Sequence, residues 1–254
     1  VLDASDLYDY DYSDYYTTGS YRVTFSGESK ITSAIYRLTS GEQKHAYYTT
    51  NHGEQTLTDT LTSALENQNL TLTGLDMLSD SIPEDCDLLI INNPVQDFAS
   101  AGALVDEMSD LRGYLSRGGK LLITTDSYNR TPNLDALLAE YGMTRQEGLV
   151  IENDSSYYAY RYPQTYLLPS LSSNDITAGI TDGMHVFTPV AQGIVKGDST
   201  DDLTLTTLLS TSSTAYAMQD YAQASTAEQG ANDPNGPFNI AVAASNSTTG
   251  AKVV

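Results

Sequence analysis

The 254-residue chain carries 12 Lys and Arg against 33 Asp and Glu, a formal net charge of −21, and 40% of its residues are apolar. That length implies one or two domains, and that apolar share supports a packed core rather than wholesale disorder. So acidic a surface repels phosphate backbones and anionic lipid, which disfavours nucleic acid as a partner and adsorption to membranes through basic patches.

Residues 1–20 interleave Tyr8, Tyr10, Tyr12, Tyr15 and Tyr16 with Asp9, Asp11 and Asp14, then run through Thr17-Thr18-Gly19-Ser20. Alternation at period two places the tyrosines on one face of an extended edge segment; the composition also suits an acidic linker. From residue 21 to 254 we expect a single α/β domain, with a core at 44–151 and a less regular half at 152–254. Residues 21–25 read as a strand. Ser26 then caps a helix that buries Ile31, Ala34, Ile35 and Leu38 at the i, i+3, i+4, i+7 spacing.

A clear alternation follows. Strands are expected at 46–50, 70–75, 88–91 and 120–125, and helices at 54–67 (Leu57, Leu61, Ala64 and Leu65 inward), 101–115 and 134–141. The run Leu88-Leu89-Ile90-Ile91 suits a strand covered on both faces, with Leu122 in the same doubly covered sheet. Arg117-Gly118-Gly119 closes a helix, since a glycine supplies the left-handed turn. Strands separated by helices of this length indicate βαβ units and a mainly parallel sheet, with 46–50, 88–92 and 120–125 as near neighbours. Beyond Gly148 the pattern weakens. Residues 171–182 are turn-rich, short strands return at 186–187, 193–195, 205–209 and 238–243, and 219–236 is a loop.

In open α/β sheets ligands sit at the carboxyl ends of the strands, where strand order switches. Three such ends carry polar groups: Asn51-His52-Gly53-Glu54, Asn92-Asn93-Pro94 and Asp126-Ser127-Tyr128-Asn129. We therefore expect His52, Glu54, Asn92, Asn93 and Asp126 to border one ligand-binding crevice. The competing structural reading has the same residues capping helices and forming turns. No G-x-S-x-G or G-x-C-x-G elbow, G-x-G-x-x-G or P-loop occurs, so no cofactor and no nucleophile is expected. Cys86 precedes a strand and reads as an inert buried thiol; alone, it excludes an intrachain disulfide and a multi-cysteine metal site. His45, His52 and His185 lack metal-ligand spacing, and Asp198, Asp201 and Asp202 read as a solvated turn.

The segments Gly27-Glu28, Thr32-Ser33-Ala34-Ile35, Asn51-His52-Gly53-Glu54, Ile82-Pro83-Glu84-Asp85-Cys86-Asp87 and Tyr114-Leu115-Ser116-Arg117-Gly118-Gly119-Lys120, in this order and spacing, resemble the auxiliary domain of bacterial ABC-type transport systems. The gliding-motility auxiliary proteins belong to that family, and a related domain occurs in an intraflagellar-transport protein. The resemblance covers residues 22–254 and is most specific over 27–125. It implies a three-layer flavodoxin-like or glutamine-amidotransferase-like fold on the extracytoplasmic face of the cell membrane. It further implies anchoring helices outside this sequence, and permease and ATPase subunits as partners. It carries no defined activity for His52, Gly53 or Glu54. Abundant Ser and Thr with scarce Lys agree with an extracytoplasmic surface, and a start at Val1 with a strand-like end at Ala251-Lys252-Val253-Val254 suggests a piece of a longer protein.

These readings lead to an accessory domain that binds a partner or a polar, carbohydrate-like ligand without catalysis. Two alternatives stand beside it. One is a hydrolase or transferase acting on carbohydrate or cell-wall material through His52, Glu54 and Asp126; the other is a structural spacer.

Overall fold

Apolar runs in the sequence become the centre of a ten-stranded sheet in the computed structural model, which describes residues 3–12, 15, 19–40, 43–181, 183–224 and 226–254. Asp14, Tyr16, Thr17 and Thr18 of the acidic–aromatic segment, and Asp182, lie outside the described residues. The chain forms β1 (Tyr8–Asp11), β2 (Arg22–Phe25), α1 (Gly27–Ser40), β3 (Lys44–Thr49), α2 (Asp59–Asn67), β4 (Leu70–Leu75), β5 (Cys86–Asn92), α3 (Glu107–Ser116), β6 (Lys120–Thr124) and α4 (Pro132–Glu140). Short strands follow: β7 (Met143–Arg145), β8 (Leu149–Ile151), β9 (Tyr166–Leu167), β10 (Ser170–Leu171), β11 (Thr188–Pro189) and β12 (Ile194–Lys196). The last four are β13 (Leu203–Ser210), β14 (Tyr216–Met218), β15 (Asn239–Asn246) and β16 (Lys252–Val253).

The large sheet runs β10-β13-β15-β16-β6-β5-β3-β4. Its centre, β16-β6-β5-β3-β4, is parallel throughout, so the three strands expected to be neighbours are adjacent and parallel. α2 makes the crossover from β3 to β4, and α3 the crossover from β5 to β6, as parallel pairing requires. Strand order reverses at β3, which has β4 on one side and β5 on the other. The β3–β5 seam is therefore the switch point of the sheet.

Beyond β16 the sheet continues antiparallel through β15, β13 and β10, with β12 and β7 attached at its side. No α-helix follows Glu140 among the described residues, so these strands lack the crossovers that parallel pairing needs. The parallel arrangement thus belongs to the central strands and stops where the helices stop.

Leu89 and Ile91 of β5 and Leu121 of β6 share one apolar cluster with Met108, Leu111 and Leu115 of α3 and Leu134 and Leu137 of α4. Leu89 and Ile91 are fully buried, each contributing about 1.5–3 kcal/mol by removal from water. Leu122, expected in the same doubly covered layer, is only half-buried because it borders a cavity beside β6. Leu89→Ala should therefore cost about 2–5 kcal/mol, while Gln223→Ala in the exposed 219–236 loop should stay within about 0.5 kcal/mol. Equal denaturant midpoints for the two variants would show that the core lies elsewhere.

Three helix expectations are corrected. The helix expected at 54–67 starts at Asp59, because Thr58, in an extended conformation, supplies the N-cap by accepting from the Leu61 amide (3.2 Å), and residues 54–57 form no helical turn. The helix expected at 101–115 starts at Glu107, where Asp106 Oδ1 caps the Ser109 amide at 2.9 Å. The apolar stripe of α1 is not buried: Ile31, Ile35 and Leu38 are exposed. α2 likewise has no fully buried residue: Leu61 and Ala64 are exposed and Leu65 is half-buried, as is Leu57 ahead of the helix, since α2 covers an edge strand rather than the sheet centre. At the N-terminus β1 pairs antiparallel with β2, and the Tyr21 ring packs against those of Tyr10 and Tyr12.

The expected stop at Gly118 is observed at φ +89°, and a Cβ on Gly119 would lie 2.5 Å from the Tyr114 ring. That close approach lets the Tyr114 hydroxyl accept from the Lys120 amide (2.9 Å) and donate to the Lys120 carbonyl (2.8 Å), tying α3 to the start of β6.

Candidate functional site

At the switch point, the chain leaving β3 turns through Asn51 (φ 76°) and Gly53 (φ 72°) and drives His52 inward. The His52 residue is 3% exposed, and its ring stacks on Phe98 with centroids 4.1 Å apart and planes 12° from parallel. Nδ1 lies 3.4 Å from Glu54 Oε1, and Nε2 lies 3.1 Å from Glu107 Oε1. Glu54 also accepts from the His52 amide (2.8 Å), and Glu107 from the Ala99 amide (2.7 Å). The His52 carbonyl accepts from the amides of Val95 and Gln96, which fastens this loop to the one after β5.

Burial pushes the His52 imidazole down, but the Glu54 and Glu107 carboxylates outweigh it and leave the ring above its ordinary value. Burial is the largest single influence on Glu54 and raises it, but the hydrogen bonds from His52, Thr49 and backbone amides together outweigh burial and hold the carboxyl at about 2. The result is an imidazole biased toward its charged form, with its two nitrogens facing the buried side chains of Glu54 and Glu107 and its ring stacked on Phe98.

Asn92 ties the end of β5 to the loop after β3, while Asn93 and Asp126 form a second set of contacts. Asn92 donates to the Gln55 carbonyl (2.6 Å) and accepts from the Thr124 hydroxyl (2.8 Å). Asn93, in the left-handed region at φ 52°, donates to Asp126 Oδ2 (3.0 Å) and accepts from Asn129 Nδ2 (3.2 Å). Asp126 Oδ1 accepts from the amides of Tyr128 (2.7 Å) and Asn129 (3.0 Å), the turn chemistry expected of it. Arg145 of β7 holds this turn by donating to the carbonyls of Asp126 and Asn129 while pairing with Asp135 through two nitrogens.

The five expected residues therefore lie along one sheet edge without bordering one crevice. His52 lines neither cavity there. Glu54 and Asn92 line a cavity of about 620 Å3 beside the ends of β3 and β4, together with Tyr48, Thr50 and Gln55. Asn92, Asn93 and Asp126 line a second cavity of about 480 Å3 between β6 and β15, which shares Gln55 and Asn92 with the first. Glu107 and Phe98, which complete the imidazole's surroundings, are absent from the sequence reading. Glu107 lies 55 residues from His52, and an acid beside a helix start signals only a favourable dipole. Among the described residues no cluster of His, Cys, Asp or Glu has the makings of a metal site. None of their helices is long and apolar enough to cross a membrane.

An open α/β sheet with a parallel five-stranded centre and polar loops at its switch point defines the class. The chain belongs to the family described as an ABC-type uncharacterized transport system, whose pattern matches residues 38–252. The fold is shared with the solved mmIFT52 N-terminal domain at 19% identity and a TM-score of 0.55, covering 83% of this chain and 85% of that one. PurLQS from Thermotoga maritima aligns over the same shares at 11% identity and a TM-score of 0.35. No curated protein matches the sequence.

Proposed function

We infer that the protein is an extracytoplasmic accessory domain of an ABC-type transport system, of flavodoxin-like three-layer construction, that works beside permease and ATPase subunits by binding rather than catalysis. The observation that carries this reading is the His52 knot. The one imidazole at the switch point is 3% exposed, stacked under Phe98 and held by two carboxylates, so it supports a loop instead of meeting a substrate. Family membership supplies the transport context.

The 620 Å3 cavity beside β3 and β4 offers hydroxyls, amides and the Tyr48 ring, with Glu54 at its wall. These groups suit a neutral hydroxylated ligand, and the acidic surface opposes a phosphate. Thermal shifts with a panel of neutral mono- and oligosaccharides test this directly. Wild type should respond to a subset, and Gln55→Ala, at an exposed position, should lose that response while melting unchanged in the absence of sugar. Turnover of any sugar in the panel by the wild-type protein would establish the hydrolase or transferase alternative, and the absence of any shift would leave the spacer.

A further inference from the structure

The hairpin of β1 and β2 turns an aromatic face outward. In its antiparallel register Tyr8 stands opposite Phe25 and Tyr10 opposite Val23, and Tyr12 and Tyr21 continue the two rows one step further. Side chains alternate along a strand and directly opposed residues share a side, so these six lie on one face. The ring contacts agree. Tyr8 meets Phe25 edge-on with centroids 5.4 Å apart, and the Tyr21 ring lies 5.5 Å from Tyr12 and 6.2 Å from Tyr10. Every one of the six is between 42% and 61% exposed.

That exposure is costly for so small an element. A two-stranded hairpin is marginal in water and persists when one of its faces is packed. Five aromatic side chains, each about half exposed, leave roughly 500 Å2 of contiguous surface on one copy, the size at which an apolar patch marks an interaction site.

Charge narrows what can cover it. The chain carries a net −21, so most of its surface repels a second copy. None of the six residues on the aromatic face is acidic or basic. Asp9, between Tyr8 and Tyr10, points to the opposite face by alternation, and its carboxylate is paired there with Lys30 of α1 at 2.5 Å. A cationic partner finds no carboxylate on the aromatic face, and an anionic partner finds no ammonium. A second copy offers the same uncharged rings at the same spacing. Two such faces packed together would remove about 1,000 Å2 from water, enough for a specific interface.

We propose that the aromatic face of the β1–β2 hairpin is a self-association surface, on which two copies of this chain pack face to face about a twofold axis. A twofold interface uses the same patch on both copies. Tyr10 and Val23 are the middle pair of the two rows, so the axis passes beside them and the flanking tyrosines stack against rings of the other copy.

Sedimentation equilibrium across a dilution series tests this. Wild type should form a dimer, and added sodium chloride should tighten it, because screening relieves the mutual repulsion of two acidic chains and leaves apolar contacts in place. Tyr10→Ser combined with Tyr21→Ser should weaken association by about 100-fold or more, since buried tyrosines are typical interface anchors. The denaturant midpoint should stay where it is, as the central apolar cluster contains no residue of the hairpin. Val23→Cys should yield a disulfide-linked dimer under air oxidation, because Cys86 is buried and the new thiol is the accessible one. A chain that is monomeric at every concentration, whether or not the same tyrosines bind it to phosphatidylcholine vesicles, would overturn the proposal. So would a dimer that survives both serine substitutions, or one in which Val23→Cys forms no cross-link.

Discussion

Replacing His52 by Ala should destabilise the protein by about 3–5 kcal/mol near pH 6, the cost of breaking a buried ion pair and leaving its partners uncompensated. Here two carboxylates, Glu54 and Glu107, lose the same cation. The pH dependence distinguishes this cause from lost packing. Glu54 is depressed from 4.5 to about 2, so its contribution is complete above its ordinary value and disappears as pH falls through that interval. His52 is raised from 6.5, so its contribution is complete below 6.5 and disappears as pH rises through its elevated value. The gap between wild type and variant should therefore be widest between about pH 5 and 6.5 and narrow in both directions. Urea melts at several pH values measure it; a gap that stayed constant with pH would assign the loss to packing alone.

Phe98→Ala should cost about 3–5 kcal/mol, because the ring is fully buried and no side chain replaces it over His52. The two residues touch, so their effects should not add. The double variant should fall short of the sum by about 0.5–3 kcal/mol, as contacting residues do. Simple additivity in equilibrium melts would mean that the stack contributes nothing to the ion network.

The parallel centre of the sheet was legible because burial on both faces forces continuous apolar runs, and Leu88-Leu89-Ile90-Ile91 admits few other readings. The helix starts were less so. Glu54 has the residue type of a first helical turn, yet its carboxylate is committed to His52, and the turn waits for Thr58. The stripe Ile31, Ile35 and Leu38 has helical spacing, and a helix forms there, but periodicity does not say whether a neighbour covers it. At the site, position along the chain correctly brought His52 beside Glu54 and Asn93 beside Asp126. It could not show that Glu54 lines one cavity, Asn93 and Asp126 another, and His52 neither, which depends on how far each side chain turns inward. Glu107 and Arg145 act across the fold from distant segments, and no local pattern announces such pairings.

Cys86 begins β5 at the amino end of the sheet, against the α3 side of the core, and burial pushes its thiol up. It is the chain's single sulfhydryl. A maleimide or disulfide reagent therefore meets one target, and only when the central strand separates from its covering helix. Labelling kinetics in the unmodified protein thus report the opening of the parallel half alone, with the antiparallel extension and the N-terminal hairpin invisible to the reagent.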